Sequence, residues 1–375
     1  MASSAGTDVV KAGYWFFEPD SLNRHEVKEI PSELFTHLYA GFAVVNSDTG
    51  EVTFPTKYQQ EFQNFHITVR NRNPTVKALL SIGGPGPDIS TAIASVARDE
   101  KLRDAFINSS IKLVRENHYD GLDLCWLYPA SKADEENLAS LLKKWRRDLD
   151  TEKPNKLLLT AAVFHHPGIP VKDSTFNYPI EAINENLDWI NILAIDFYTN
   201  SNSTEETGPV HAWNTRQIDQ QDRCGSVGIQ KWIDVGVSIS KLVLGLPFYG
   251  YEWILPYPNS PSGFFAPAHP ATPPTLAYKD IQDELLRDTN YETVWIGYDD
   301  GLCVFGKVRK AIDLKLGGYF AWCVGADDIF WTLSRSDIAR LPNSMTYCLN
   351  FVVLFACNEY ICKLSFLKSK QLYCQ

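Results

Sequence analysis

The sequence predicts an α/β barrel of eight parallel strands, and three observations carry that prediction. Eight short runs rich in β-branched, aromatic and small apolar residues recur along the chain, and helical apolar patterns fall between them. The length, 375 residues, suffices for one such barrel with an insertion, or for two ordinary domains. The competing α/β architecture, an open doubly wound sheet, would place a G-x-G-x-x-G turn after the first strand, and Gly13-Tyr14-Trp15-Phe16 is not one.

Val10 to Phe16 (VKAGYWF) reads as the first strand and Phe35 to Val45 (FTHLYAGFAVV) as the second. Val76 to Gly84 (VKALLSIGG) is the third, and its closing glycines let backbone approach a ligand or a neighbouring loop. Leu102, Phe106, Ile107, Leu113 and Val114 then repeat at helical spacing. The fourth strand lies within Tyr119 to Pro129. After it, Leu138, Leu141, Leu142, Trp145 and Leu149 make an i, i+3, i+4, i+7 face that predicts a helix over Asp134 to Leu149. Lys156 to Phe164 is the fifth strand and Leu187 to Tyr198 the sixth. Gln230 to Val237 is helical, Leu242 to Gly250 is the seventh strand, and Gly318 to Gly325 is the eighth.

The stretch YDGLDLCWLYP, from Tyr119 to Pro129, is the informative one. In a strand, Asp123, Cys125 and Leu127 share one face, while Leu122, Leu124 and Trp126 share the other and read as core. A carboxylate turned into a protein costs free energy unless donors meet it, so Asp123 needs backbone or hydroxyl partners, Ser81 or Tyr14 among them.

The formal net charge is −10, and no basic run or basic-aromatic patch suggests a nucleic-acid partner. Residues 1–8 lack the charged and apolar regions of a signal peptide. The expectation is therefore a cytoplasmic chain as written, or a secreted or vacuolar one if a leader precedes it. Residues 348–361 are apolar but too short and too interrupted to span a membrane, so no membrane partner is expected. Asn108-Ser109-Ser110 and Asn202-Ser203-Thr204 are glycosylation sequons that matter only in a secreted chain. The 8 cysteines show no metal-ligand spacing, and neither a metal nor a cofactor is expected. The oligomeric state is not legible. Trp (10) and Tyr (17) are numerous, as in clefts where rings pack on pyranose faces, although most such rings are core.

Asp120, Asp123, Cys125 and Leu127 stand at the spacing D-x-x-D-x-D-x-E, followed by Tyr128-Pro129. Further pieces are Gly13-Tyr14-Trp15, Ser81-Ile82-Gly83-Gly84, and Trp189-Ile190-Asn191 leading to Asp196-Phe197-Tyr198. Gly245-Leu246-Pro247-Phe248-Tyr249-Gly250-Tyr251, Trp295-Ile296-Gly297-Tyr298-Asp299-Asp300, and Gly318-Tyr319-Phe320 with Trp322 complete the series. On these pieces the chain resembles glycoside hydrolase family 18, and within it the plant class V chitinases, over about residues 9–341. The resemblance implies that Cys125 stands at the family's last motif Asp and Leu127 at its catalytic Glu. Ile195 stands at the Tyr of the family's Met-x-Tyr-Asp. In this family the substrate's own 2-acetamido oxygen attacks the anomeric carbon while the Glu protonates the leaving oxygen. Leu127 has no proton to give, and a Cys125 thiol is neutral and a weak donor. A positioned general acid is worth about 10²–10⁴ in rate.

The resemblance also assigns Tyr14, Phe42 and Trp322 to the sugar cleft, Trp322 as the floor of the central subsite, and gives Asp196 and Tyr198 hydrogen bonds to the sugar. On residue type alone Trp322 and Phe42 read as barrel core, Asp196 as a strand-end carboxylate capped by amides, and Asp123 as structural. His165 and His166, after the fifth strand, are the candidates for a relocated acid.

The expectation is a chitinase-like, lectin-type pseudoenzyme of the chitinase-related agglutinin kind, with no catalytic residue. It would bind chitin oligosaccharides or N-glycans, of N-acetylglucosamine or mannose type, in the former catalytic cleft. The alternatives are an active chitinase and a homologue with no ligand. The barrel is placed at residues 8–343. Within it, residues 251–317, Pro-rich and then helical near Leu276 to Leu286, resemble the family's α+β insertion, shortened by a hairpin so that the groove is shallower. Residues 344–375 match nothing in the family and are expected to lack order.

Overall fold

In the computed structural model the described residues are 9–18, 22–151, 156–172, 174–214, 223–257, 263–286, 293–336 and the backbone of 371–374. Eight parallel strands close into a barrel: β1 (Val10–Phe16), β2 (His37–Val45), β4 (Lys77–Gly84), β5 (Gly121–Trp126), β6 (Leu158–Phe164), β9 (Trp189–Leu193), β10 (Leu242–Pro247) and β14 (Gly318–Trp322). Closure comes from β1, which pairs in parallel with both β2 and β14. The short strand β3 (Val52–Thr53) folds back on β2, and an unforeseen hairpin, β7 (Gly168–Val171) with β8 (Ser174–Asn177), follows β6.

Helices α1 (Gln59–Arg70), α2 (Pro87–Arg98), α3 (Glu100–Glu116), α4 (Ala133–Thr151), α5 (Ile180–Asn186) and α6 (Gly225–Asp234) alternate with the strands. The predicted stripe of α4, Leu138 through Leu149, is buried against the barrel together with the outward residues Leu122, Leu124 and Trp126 of β5. α3 starts at Asp99, whose side chain accepts from the backbone N–H of Lys101 and Leu102 and so satisfies two otherwise orphaned donors.

The seventh barrel strand stops at Pro247, short of the predicted Gly250, because β11 (Tyr249–Ile254) leaves the barrel to start a second sheet. That sheet pairs β11 antiparallel with β12 (His269–Ala277) and with β13 (Val294–Tyr298); α7 (Tyr278–Leu286) lies between β12 and β13 in sequence. Val210, Trp253, Leu255, Ala268 and Trp295 give the insertion its own apolar cluster. α8 (Gly301–Asp313), capped by Asp300, leads into β14. Within the tail expected to lack order, β15 (Gln371–Cys374) pairs in parallel with β13.

Candidate functional site

Alternation along the barrel strands separates two clusters. Leu122, Leu124 and Trp126 join the large cluster under the helices. Cys125 joins the barrel-interior cluster of Tyr14, Tyr39, Trp189, Ile195, Tyr249, Phe320 and Trp322, against which Phe16, Phe42, Leu127 and Tyr251 pack. The period-two reading of β5 therefore sends its two faces where expected.

Register explains how Asp123 is held. Ser81, Asp123 and Thr160 are direct neighbours across β4, β5 and β6, so their side chains meet inside the barrel. Ser81 Oγ donates to Asp123 Oδ2 at 2.7 Å, Tyr14 Oη donates to the same oxygen at 2.9 Å, and Thr160 Oγ1 donates to Oδ1 at 2.7 Å. Asn191 Nδ2 adds a longer contact to Oδ1 at 3.4 Å while donating to Tyr14 and Tyr39 hydroxyls at 2.8 and 3.0 Å. Both partners foreseen for Asp123 are present; Thr160 and Asn191 are additional. Burial pushes the Asp123 carboxyl above its usual range, and the four side-chain donors pull it back only in part.

Trp322 ends β14 above this polar layer. Its ring meets Tyr14 and Phe16 edge-on, at centroid distances of 4.8 and 4.9 Å, and lies 6.2 Å from Phe42. Gly83 and Gly84, both at positive φ, close β4 beside it. A Cβ on Gly84 would come within 2.7 Å of the Phe42 ring, and one on Gly83 within 2.5 Å of the Cys125 carbonyl oxygen, so only glycine fits there. Cys125 and Ile195 are buried and Leu127, just past the end of β5, is half-buried. Burial, then Asp123, drives the Cys125 thiol well above its usual range, so it stays protonated.

Asp196 is half-buried and takes the left-handed conformation, φ 62°, which costs an ordinary residue about 1–2 kcal/mol and Asp less. The sixth strand has already ended at Leu193, short of the predicted Tyr198, where the Ala194 N–H turns back to the Ile192 carbonyl at 2.9 Å. Asp196 Oδ1 accepts from Tyr249 and Tyr251 hydroxyls at 2.8 and 3.3 Å, and burial lifts its carboxyl to about 6 against those two bonds.

Tyr198, assigned by resemblance to the sugar, is placed elsewhere. It is buried in the large outer cluster, with its ring edge-on to Phe265 and the Arg223 guanidinium 4.7 Å above it. The left-handed turn at Asp196 breaks strand alternation, so spacing along the motif no longer predicts which way Tyr198 points. His165 is buried with its ring edge-on to Phe197 and to His166, at centroid distances of 5.0 and 4.4 Å. Asp120 lies at the opposite end of β5, paired with Arg70 and Lys77 and accepting the Ala78 N–H at 2.8 Å. Phe16, Thr160, Tyr249 and Tyr251 complete the site and were not singled out as site residues from sequence. Thr160 had a signal, a polar residue inside an otherwise apolar strand adjacent to that of Asp123. Among the described residues no group of His, Cys, Asp and Glu could hold a metal ion, and no helix is long and apolar enough to cross a membrane.

With this geometry in place, comparison with known proteins gives a consistent result. Residues 10–327 match the model of glycosyl hydrolases family 18. A class V chitinase of Arabidopsis thaliana is 39% identical over 350 residues, which cover 88% of this chain and 89% of the relative. A GH18 chitinase from Cycas revoluta, solved in complex with (GlcNAc)3, superposes with a TM-score of 0.79 at 34% identity, covering 88% of this chain and 99% of the other. A chitinase-like agglutinin from Robinia pseudoacacia superposes with a TM-score of 0.76 at 38% identity, covering 87% and 99%.

Proposed function

This chain belongs to glycosyl hydrolases family 18, and within that family we propose that it binds N-acetylglucosamine-type oligosaccharides without cleaving them. The observation that carries the proposal is the set of side chains gathered beside Trp322. Cys125, Leu127 and Ile195 pack into one cluster with that ring, and they offer a thiol and hydrocarbon where proton transfer and acetamido orientation require a carboxyl group, a carboxylate and a hydroxyl. Asp123, the nearest motif carboxyl in sequence, is fully buried and engaged by Ser81, Tyr14 and Thr160.

Ground-state binding and transition-state binding are separable. Stacking on Trp322 and hydrogen bonding to Asp196 persist without a proton donor, so the cleft holds sugar while the glycosidic bond stays intact. The agglutinin and the (GlcNAc)3-bound chitinase among the similar structures support a sugar ligand. We further propose Tyr14 and Phe42 as cleft residues through their contacts with Trp322. N-glycans of mannose type are the competing ligand class, which a glycan array separates from chitin oligomers.

One observation favours a second reading, slow hydrolysis with Asp196 as the proton donor: its carboxyl titrates near 6 and is half-buried at the mouth. Product analysis of N-acetylchitotetraose incubated with wild type and Asp196→Asn separates the two. Cleavage lost in Asp196→Asn supports the second reading, and intact tetramer with both proteins supports the first.

A further inference from the structure

Behind Asp196 lies a buried network that binding and catalysis, as described so far, do not use. The Phe197 N–H donates to the Val210 carbonyl at 2.7 Å, which brings the next residue, His211, beneath Asp196. The Asp196 N–H donates to His211 Nδ1 at 3.3 Å. His211 Nε2 lies 3.3 Å from the Tyr249 carbonyl, which can only accept, so Nε2 carries the ring proton and Nδ1 is the accepting nitrogen. The His211 carbonyl accepts from Lys307 Nζ at 2.5 Å, and Lys307 pairs with Asp299, both nearly inaccessible to solvent. The network thus runs from the end of β13 through α8 to the mouth of the barrel.

We propose that His211 is a positioning residue for sugar binding, which rests on the sugar-binding reading above. Its Nδ1 holds the Asp196 backbone in the left-handed conformation that delivers the carboxylate to Tyr249 and Tyr251, and the Lys307–Asp299 pair holds His211 through its carbonyl. Tyr249 sits on both sides of the arrangement, accepting from the ring through its carbonyl and donating to Asp196 through its hydroxyl. The buried ion pair therefore sets the aim of Asp196 without touching sugar.

The role requires a neutral imidazole. Groups facing His211 include Asp196 just past β9, Tyr249 at the start of β11, Lys307 on α8 and, behind Lys307, Asp299. Burial, then the Lys307 charge, holds the imidazole far below its ordinary midpoint, which keeps Nδ1 an acceptor in mildly acidic solution.

The test is calorimetric titration of N-acetylchitotetraose into wild type, His211→Leu and His211→Asn, alongside nitrogen NMR of histidine-labelled wild type. His211→Leu removes the acceptor and is expected to weaken binding about tenfold. In His211→Asn the amide oxygen replaces Nδ1, and affinity is expected to stay within about threefold of wild type. NMR is expected to report the neutral Nε2–H tautomer at about pH 5.5, one unit below the ordinary midpoint. Equal affinity of His211→Leu and wild type overturns the inference and leaves the sugar reading intact. No binding by wild type overturns the sugar reading, and the inference with it. Should His211→Leu not fold, the asparagine variant and the tautomer decide: loss of binding in His211→Asn, or an Nδ1–H or charged ring at that pH, overturns the inference.

Discussion

The two ends of β5 differ in what they ask of a carboxylate. At its N-terminal end Asp120 meets Arg70, Lys77 and the Ala78 amide, and within the strand Asp123 meets three hydroxyls and an amide. At the mouth Cys125 and Leu127 meet aromatic rings and aliphatic chains. Carboxyl groups stand in this strand where donors surround them, and thiol and hydrocarbon stand where the aromatic cluster surrounds them. On the proposed reading, structural charge and reactive charge are independent features of one strand, and the barrel forms with Cys125 and Leu127 uncharged at its mouth.

The sharpest way to break this contrast is to recharge the mouth. Leu127→Glu combined with Cys125→Asp is expected to raise N-acetylchitotetraose hydrolysis about 10²-fold or more over wild type, and adding Ile195→Tyr should raise it further, read by product chromatography. An unchanged rate would mean that these positions do not face the sugar. Trp322→Ala removes the shared ring of the mouth. It is expected to weaken tetramer binding about 10²-fold and, because the ring packs on Tyr14 and Phe16, to lower stability by about 3–5 kcal/mol in denaturant titration.

Inside the strand the effects are structural. Asp123→Ala leaves Ser81, Thr160 and Tyr14 hydroxyls facing a void and is expected to cost about 3 kcal/mol. Asp123→Asn keeps one acceptor oxygen and turns an amide N–H toward the donors on its other side, so it should cost about 1–2 kcal/mol, less than the alanine. Asp196 supplies a pH signature. Its folded-state midpoint, about 6, lies above the unfolded value, so the folded protein binds the extra proton and stability falls as pH rises from about 4 to about 6. The Asp196→Asn variant lacks that loss, so its melting temperature relative to wild type should rise across the same window. The smallest effect belongs to Asp120→Asn. Its ion pairs are partly exposed, and the substitution should cost about 1 kcal/mol or less, shrinking as salt is added.

Most of the barrel was legible because buried parallel strands write themselves as apolar runs. The ranges read for β1, β4 and β14 start within a residue of those observed, and the α4 stripe packs as its spacing implied. Departures fall where backbone leaves the regular pattern. β10 ends at Pro247 because the chain crosses into the insertion sheet, and β9 ends at Leu193 ahead of the left-handed Asp196. Neither event has a periodicity signal. The same turn sends Tyr198 into the outer core, where a motif-based assignment could not follow it. The hairpin of β7 and β8 was missed because its two strands are four residues each and bury only Phe176, too little for an apolar run. At the site, Asp123 and its need for hydroxyl donors could be read from strand alternation. His211 could not, since its position beneath Asp196 depends on a backbone bond between Phe197 and Val210, residues that no sequence pattern links.

The most direct test of a sugar cleft without a proton donor is calorimetric titration of wild-type protein with N-acetylchitotetraose, with the products analysed from the same cell. Saturable binding with the tetramer recovered intact is the predicted result. Dimer and trimer appearing at a rate comparable to that of class V chitinases would contradict it.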